Sequence, residues 1–339
     1  MKSPSESILT APLTCGPVLS VASIGCSARS IIDSAVEGKG DVHSIFDSAI
    51  NITIDHGFIS LVRDSIQRGP LNLVLQPRAG FGGFSRLGLR TGDVVEVTPS
   101  TLRLASRVVV SLESAETYRS QTNISGRLLG NKEIRANLDA AAETTIALGD
   151  LAGIGGLVTI LHPSGHRVCE SETSVFSRAA RIQFAELMRL LSSDTDQQEL
   201  REVVRRLIGL GPGLTPSADD ALAGLMIMVG LYSSSSGRLT SISSLLMRVV
   251  AAEAIGRTTR LSEECLKQAA LGRGGELVMN LCAAILTEGP ASVSRATSRA
   301  LAVGASSGTD TVFGVILGTM LCTDMGFQSL QLEMREDGH

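Results

Sequence analysis

Tryptophan is absent from this 339-residue chain, and aromatic residues of any kind make up only 3% of it. Leu, Ile, Val and Ala must therefore fill any core, and 35 glycines permit close backbone approach, which favours tightly packed helices over an aromatic-rich sandwich. Paired cysteine spacing is missing too. Cys15, Cys26, Cys169, Cys265, Cys282 and Cys322 form no CxxC, and the last three lie in apolar helical contexts where a free thiol packs as a small hydrophobe. A reduced, cytoplasmic protein is expected. Charge is not blocked: 30 basic and 34 acidic residues are interspersed and sum to -4, which leaves no electrostatic footprint of a nucleic-acid binder. The longest apolar runs, 221–232 and 312–322, fall short of the roughly 18 residues that span a bilayer, so they are read as buried core helices. The first residues, MKSPSESILTAP, contain no uninterrupted apolar stretch, and no secretory leader is expected. GxSxG, GxxxxGK[ST] and a strand-linked GxGxxG are all missing, so serine-hydrolase, P-loop and dinucleotide-binding readings lack their markers.

What is present divides into two textures. The length suggests two domains, with the change of periodicity near Glu116 giving a β-rich domain over 1–115 and a mainly helical domain over 116–339. The first part reads as short strands and turns: Leu13 to about Ile32, with GPVLSVASIG and the CSARSIID that follows it, then INITIDHGFISLV around a turn at Asp55-His56-Gly57, LNLVLQP, and two or three strands in TGDVVEVTPSTLRLASRVVVSLE. HSIFDSAI between them has helical or irregular spacing. Many strands without a long helical pattern predict a compact sandwich or barrel-like domain, and the expected class is α+β. In the second part, apolar residues at helical spacing predict helices in NKEIRANLDAAAETTIALGDL, SRAARIQFAELMRLLSS and DQQELREVVRRLIGL, and again near 221–232, 239–254, 262–271, 275–287, 290–303 and 308–322. A glycine-rich break and a short apolar run, GGLVTILHPSGHRV, interrupt them.

The chain is organised around residues 209–220, GLGPGLTPSADD, a glycine loop feeding an apolar helix. Gly209, Gly211 and Gly213 permit backbone conformations closed to other residues. Thr215 with Pro216 suits an N-cap and first helical position, and Ser217 with Asp220 suits a capping box one turn later. Either start points free N–H groups and a positive dipole end into the loop, the arrangement that binds phosphate or carboxylate. Asp219 and Asp220 admit two readings: first-turn acids that stabilise the helix by about 0.3–1 kcal/mol, or adjacent carboxylates that hold a cation or a substrate amide.

An internal echo adds a partner. Ser217, Asp220 and Gly224 share the spacing S-x-x-D-x-x-x-G with Ser307, Asp310 and Gly314. Each set opens an apolar helix after a small-residue loop that in the second case includes Ser306, so two helix N-termini converging on one polar pocket are expected. The plainer alternative is two well-capped helices touching through small residues. Arg257, Thr258, Thr259 and Arg260, ahead of a helix that Ser262 could cap, offer an anion-binding third wall. His43, Ser44 and Asn51 fall in a polar-punctuated segment. His162 and His166 are separated by Pro163-Ser164-Gly165, which breaks the helix an HxxxH zinc site needs, so a turn is expected there.

The stretch GLGPGLTPSADDALAG, with HSIFDSAIN before it and RTTRLS and SSGTDTVFGVILG after it, resembles the family containing AllH, a subunit of bacterial oxamate carbamoyltransferase. The resemblance covers most of the chain. A small departure is Ala218, where the family often has glycine. It implies a role in anaerobic allantoin and purine nitrogen use, interconverting oxamate plus carbamoyl phosphate with oxalurate plus phosphate, beside two other subunit types, one related to acyl-CoA synthetase proteins. Three readings follow. In the first, Gly211, Gly213, Thr215 and Ser217, with Arg257 or Arg260, cradle the anion while Asp220 and Asp310 orient the amide or a cation. In the second, the chain is a non-catalytic scaffold whose small-residue helices dock partner subunits. In the third, Asp219, Asp220 and Asp310 hold Mg²⁺ in a stand-alone enzyme. No nucleic acid and no membrane is expected as a partner.

Overall fold

Strand β1 (Val18–Gly25) has an interior face that is almost wholly buried, and it is the seam of the N-terminal unit. The computed structural model describes residues 17–120, 124, 126–161, 175–193, 196–236, 240–323 and 325. It divides into one unit of residues 1–66 with 71–117 and another of 67–70 with 118–339. In the first, β1 is followed by α1 (Cys26–Asp33), β2 (Lys39–Ile45), β3 (Ala49–Ile54), β4 (Gly57–Val62), β5 (Asn72–Leu75), β6 (Val94–Thr98), β7 (Thr101–Leu104), β8 (Val108–Ser111) and β9 (Glu116–Tyr118). The order β5-β4-β3-β2-β6-β7-β8-β1 closes when β1 pairs back onto β5, giving an eight-stranded barrel with β9 added beside β1. Closure removes the unpaired edges an open sheet would expose.

The barrel interior is aliphatic, as the scarcity of rings requires. Leu19, Val21, Ile24, Ile50, Ile52, Ile54, Ile59, Leu61, Leu73, Val95, Leu102 and Val110 fill it, with Phe84 as its one large ring. The turn at Asp55 forms as expected, with Asp55 in the left-handed region at φ 50°. Two expectations fail. HSIFDSAI forms strand, turn and strand, and its irregular spacing reflects a shift of register between Val42 and Ser44 that breaks strict alternation. CSARSIID, expected as strand and turn, is helix α1, whose buried Ala28 and Ile32 lie one turn apart on the face it presents to the barrel.

The second unit holds α2 (Asn131–Leu148), α3 (Val158–Leu161), α4 (Val175–Leu191), α5 (Gln197–Leu207), α6 (Ser217–Ser236), α7 (Thr240–Glu253), α8 (Arg260–Ala270), α9 (Glu276–Thr287), α10 (Pro290–Leu301) and α11 (Ser307–Cys322). Helices α6 and α11 are the two apolar runs seen in the sequence. Both are buried nearly all round, and their mutual contact is the most extensive in the unit. The crossing is closer than any side chain allows. A Cβ on Gly224 would stand 2.1 Å from the carbonyl oxygen of Thr311, and one on Gly314 would stand 1.9 Å from that of Ala221. The two contacts are mirror entries in the echo, because Ala221 and Gly224 on α6 occupy the same places as Thr311 and Gly314 on α11. His162, His166, Cys15 and Cys169 lie outside the described residues, while Cys26, Cys265, Cys282 and Cys322 are free thiols.

No described helix is long and apolar enough to cross a membrane. Gly314→Ala and Gly224→Ala are each expected to force the two backbones apart. Urea unfolding of either variant should show a loss of about 3 kcal/mol, the upper end of overpacking costs.

Candidate functional site

Loop 209–216 takes its shape from its glycines. Gly209, Gly211 and Gly213 all adopt positive φ, at 79°, 119° and 100°, conformations strained for any other residue. Gly209 also lies where a Cβ would meet the carbonyl oxygen of Arg257 at 2.7 Å. Helix α6 begins at Ser217, so neither expected cap geometry forms: Ser217 is the first helical residue and Asp220 the fourth. The second, third and fourth amides of the helix are already used. Ala218 donates to the carbonyl of Leu210 at 3.0 Å, and Asp219 and Asp220 both donate to that of Pro216. The dipole end is present, and the amides of Gly211, Gly213, Leu214, Thr215 and Ser217 donate to no backbone carbonyl among the described residues. Helix α11 starts in the same way. Ser306 takes the cap position without a side-chain cap bond, and Asp310 again falls at the fourth position.

Asp219 is a strut. One carboxylate oxygen accepts the amide of Gly209 at 2.8 Å, and the other accepts the hydroxyls of Thr258 and of Ser262, the latter at 2.6 Å. Burial raises its pKa, and the hydroxyls of Ser262 and Thr258 and the Gly209 amide act against that rise. Thr259, not Ser262, caps α8: its hydroxyl accepts the Ser262 amide at 3.1 Å and donates to the carbonyl of Leu214. Both threonines of the RTTR segment thus tie the start of α8 to the glycine loop. The two arginines of the segment are paired with glutamates. Arg257 pairs with Glu253 at 3.4 Å, a buried carboxylate that also holds Arg201 and Arg205. Arg260 pairs with Glu263 at 2.8 Å and Glu264 at 3.1 Å.

Asp220 and Asp310 are the pair the close crossing brings together. The arrangement is reciprocal: the hydroxyl of Ser307, on α11, stands beside Asp220, and that of Ser217, on α6, stands beside Asp310. Thr215 and Ser307 hydroxyls bond each other at 3.1 Å across the two N-termini. Oδ1 of Asp310 accepts the amides of Ile154 and Gly155 at 2.8 and 2.7 Å. Yet Oδ2 of Asp310 and Oδ2 of Asp220 are both buried and complete no hydrogen bond among the described residues. Burial pushes the Asp220 pKa well above the ordinary aspartate value. The Ser307 hydroxyl opposes this, while the neighbouring charge of Asp310 adds to it. Asp310 is raised by burial against the Ser217 hydroxyl, the Gly155 amide, the Ser306 hydroxyl and the Ile154 amide. Asp310 is fully buried, whereas Thr215, Asp220, Ser306 and Ser307 are half-buried and mark the side from which solvent reaches the pair. Nearby Cys265 is no nucleophile at neutral pH, since burial and then the charge of Asp220 push its thiol up to about 12.

The sequence did not single out the loop over residues 149–156, GDLAGIGG, as part of the site. Gly153 lies so close to Asp310 that a Cβ would meet both carboxylate oxygens at 2.4 Å, and the Ser177 hydroxyl holds the Gly153 carbonyl at 2.7 Å. Its glycines were visible only as a break between helices. His43 and Asn51 belong to the barrel unit and form a chain of their own. The Ser44 hydroxyl bridges His43 Nδ1 at 3.2 Å and Asn51 Nδ2 at 2.9 Å, and the Ser60 hydroxyl donates to Asn51 Oδ1 at 2.7 Å. Among the described residues no three His, Cys, Asp or Glu side chains gather at metal-ligand spacing. Asp219, the first aspartate of the Mg²⁺ reading, has both oxygens engaged by protein donors.

Comparison with known families agrees with the motifs. A family model described as oxamate carbamoyltransferase subunit AllH matches residues 207–319, and one described as AllH family N-terminal domain matches residues 20–117. The first spans the glycine loop, α6, the RTTR segment and most of α11, and the second spans the barrel. No solved structure matches the chain.

Asp219→Ala should strand one amide and two hydroxyls and lower stability by about 3 kcal/mol, while Asp219→Asn, whose amide the two rotatable hydroxyls can accept, should cost about 1 kcal/mol. Denaturant unfolding of both variants checks this. The raised pKa values of Asp220 and Asp310 have an opposite consequence. The folded chain holds these protons more tightly than the unfolded chain does, so their contribution to stability is greatest in acid and falls as pH rises from the ordinary value of 3.8 towards the raised one. Asp310→Asn keeps an acceptor for Ile154 and Gly155 and removes the buried charge. Its melting temperature should gain on the native protein by a few degrees as pH rises above the ordinary value of 3.8, at roughly 2–4 °C per kcal/mol.

Proposed function

The chain belongs to the family of the oxamate carbamoyltransferase subunit AllH, and from that premise we propose that the paired N-termini of α6 and α11 form its carbamoyl-transfer pocket. The observation that carries this reading is the two orphaned carboxylate oxygens, Oδ2 of Asp220 and Oδ2 of Asp310. A buried acceptor without a donor costs about 1–3 kcal/mol, more when charged. A primary amide or carbamoyl group brings two N–H donors and one carbonyl acceptor, which is what such a pair lacks.

The reaction joins the amide nitrogen of oxamate to the carbamoyl carbon of carbamoyl phosphate, breaks the bond from that carbon to the phosphate oxygen, and removes one proton from the nitrogen. Two desolvated aspartates side by side resist ionising together, so the pair retains a proton. The carboxylic acid donates to the carbamoyl oxygen, where negative charge grows in the transition state. The carboxylate accepts an N–H and then the departing proton, for which its raised pKa suits it. The amides of Gly211 and Gly213 and the hydroxyls of Thr215, Ser217, Ser306 and Ser307 meet the phosphate or the oxamate carboxylate. Asp219, Thr258 and Thr259 hold the loop in place, and Arg257 and Arg260, paired with glutamates, anchor the segment that carries those threonines. The substrates are the small anions carbamoyl phosphate, oxamate and oxalurate. The setting is cytoplasmic allantoin and purine nitrogen degradation, in an assembly with two other subunit types. A purely docking role for α6 and α11 gives no reason for carboxylates at their crossing, which is why the scaffold reading stands second.

In the assembled enzyme, Asp220→Asn and Asp310→Asn should each lower kcat/KM for carbamoyl transfer by about 10²–10⁴-fold without lowering the melting temperature. Full turnover in both variants would leave the chain as a scaffold.

A further inference from the structure

A cavity of about 280 Å³ opens at one end of the barrel, lined by Val18, Ser20, Arg63, Asp64, Gln76, Arg78 and Phe81 among others. Its position follows from the topology. Parallel strands β4 and β5 both end there and antiparallel β1 begins there, so the residues just after two strands and at the start of a third converge on one opening.

Two arginines face this space. Neither pairs with a carboxylate among the described residues. Arg78 donates one N–H to the carbonyl of Val18 at 2.8 Å, which fixes its guanidinium at the rim. Arg63 lies over the ring of Phe81 with its guanidinium carbon 5.8 Å from the centroid, and Phe81 is itself braced edge-on by Phe84 at 5.2 Å. Nε of Arg63 is buried and has no acceptor. A buried, unsatisfied guanidinium donor is costly, and the aromatic face restrains the side chain without supplying the missing acceptor. Gln76 bonds Ser114 at 3.2 Å and its backbone amide holds the carbonyl of Ser20, so the floor is rigid. Asp64, the one acid at the opening, is exposed, and the lining carries a net positive charge.

We propose that this cavity is a binding site for a small organic anion, whose carboxylate or phosphate group is gripped by Arg63 and Arg78 and whose remainder rests against Phe81. The planar forks of two guanidinium groups match either anion, and the volume sits at the lower limit of small-molecule pockets. The site is independent of the aspartate pair on α6 and α11.

The absence of tryptophan supplies a local reporter, because Phe81→Trp places the chain's sole indole beside Arg63. Titration of that variant with inorganic phosphate, oxalate and phenyl phosphate should change its fluorescence saturably, and whichever anion binds tightest identifies the head group. Adding Arg63→Met should weaken that response at least tenfold, while Asp310→Asn should leave it unchanged. Thermal shift of the otherwise native chain with the same anions, and its loss in the Arg63→Met, Arg78→Met double variant, guards against disturbance by the indole. No saturable response to any of the three anions by either readout, or a response indifferent to both arginines, would overturn the proposal.

Discussion

The close crossing of α6 and α11 is the constraint on which the second unit depends. Two helices that meet backbone to backbone at Gly224 and Gly314 have no freedom to slide, because each glycine faces the carbonyl of one particular residue on the other helix. Their N-termini are thereby fixed side by side, and the two aspartates one turn in from those ends are brought into the same small volume. Had either glycine carried a side chain, the helices would stand farther apart, and the two aspartates with them.

Around that crossing the remaining loops act as fasteners. Asp219 faces the glycine loop and α8, gathering an amide and two hydroxyls, while its neighbour Asp220 faces α11. Adjacent carboxylates on one helix therefore have opposite tasks, one satisfied and one left with an open oxygen. The same division appears in Asp310, where one oxygen takes two amides of the 149–156 loop and the other takes none. Each such unsatisfied atom is costly in a low-dielectric interior. In the proposed reading, a ligand that brings the missing donors recovers that energy.

The barrel unit answers to a different rule. Its strands close on themselves, so its chemistry gathers where strand ends meet, and there the residues after β4 and β5 supply cations. The shift of register at Val42/Ser44 does the same on a smaller scale, turning His43 and Ser44 into a chain with Asn51 and Ser60 along the barrel wall.

Much of this was legible in the residues. Periodicity located nearly every described helix of the second unit and most strands of the first, because burial on one face repeats with the period of the backbone. The positive φ angles of Gly209, Gly211 and Gly213 were readable because glycine alone takes them without strain, and the echo of Ser217, Asp220 and Gly224 in Ser307, Asp310 and Gly314 pointed to two similar helix starts. The sequence could not say that the serines reach across to the opposite aspartate, since capping the helix's own amides uses the same residues at the same spacing. Nor could it assign Arg257 and Arg260, whose charges suit an anion or a glutamate equally well until Glu253, Glu263 and Glu264 are placed beside them. The 149–156 loop was beyond reach for the same reason: its contribution is backbone amides, which every residue but proline has, and only tertiary packing decides which of them meet Asp310. Local conformation was thus determined by the residues themselves, while the partners of each polar atom, and so which ones remain unsatisfied, were decided by the approach of segments far apart in the chain.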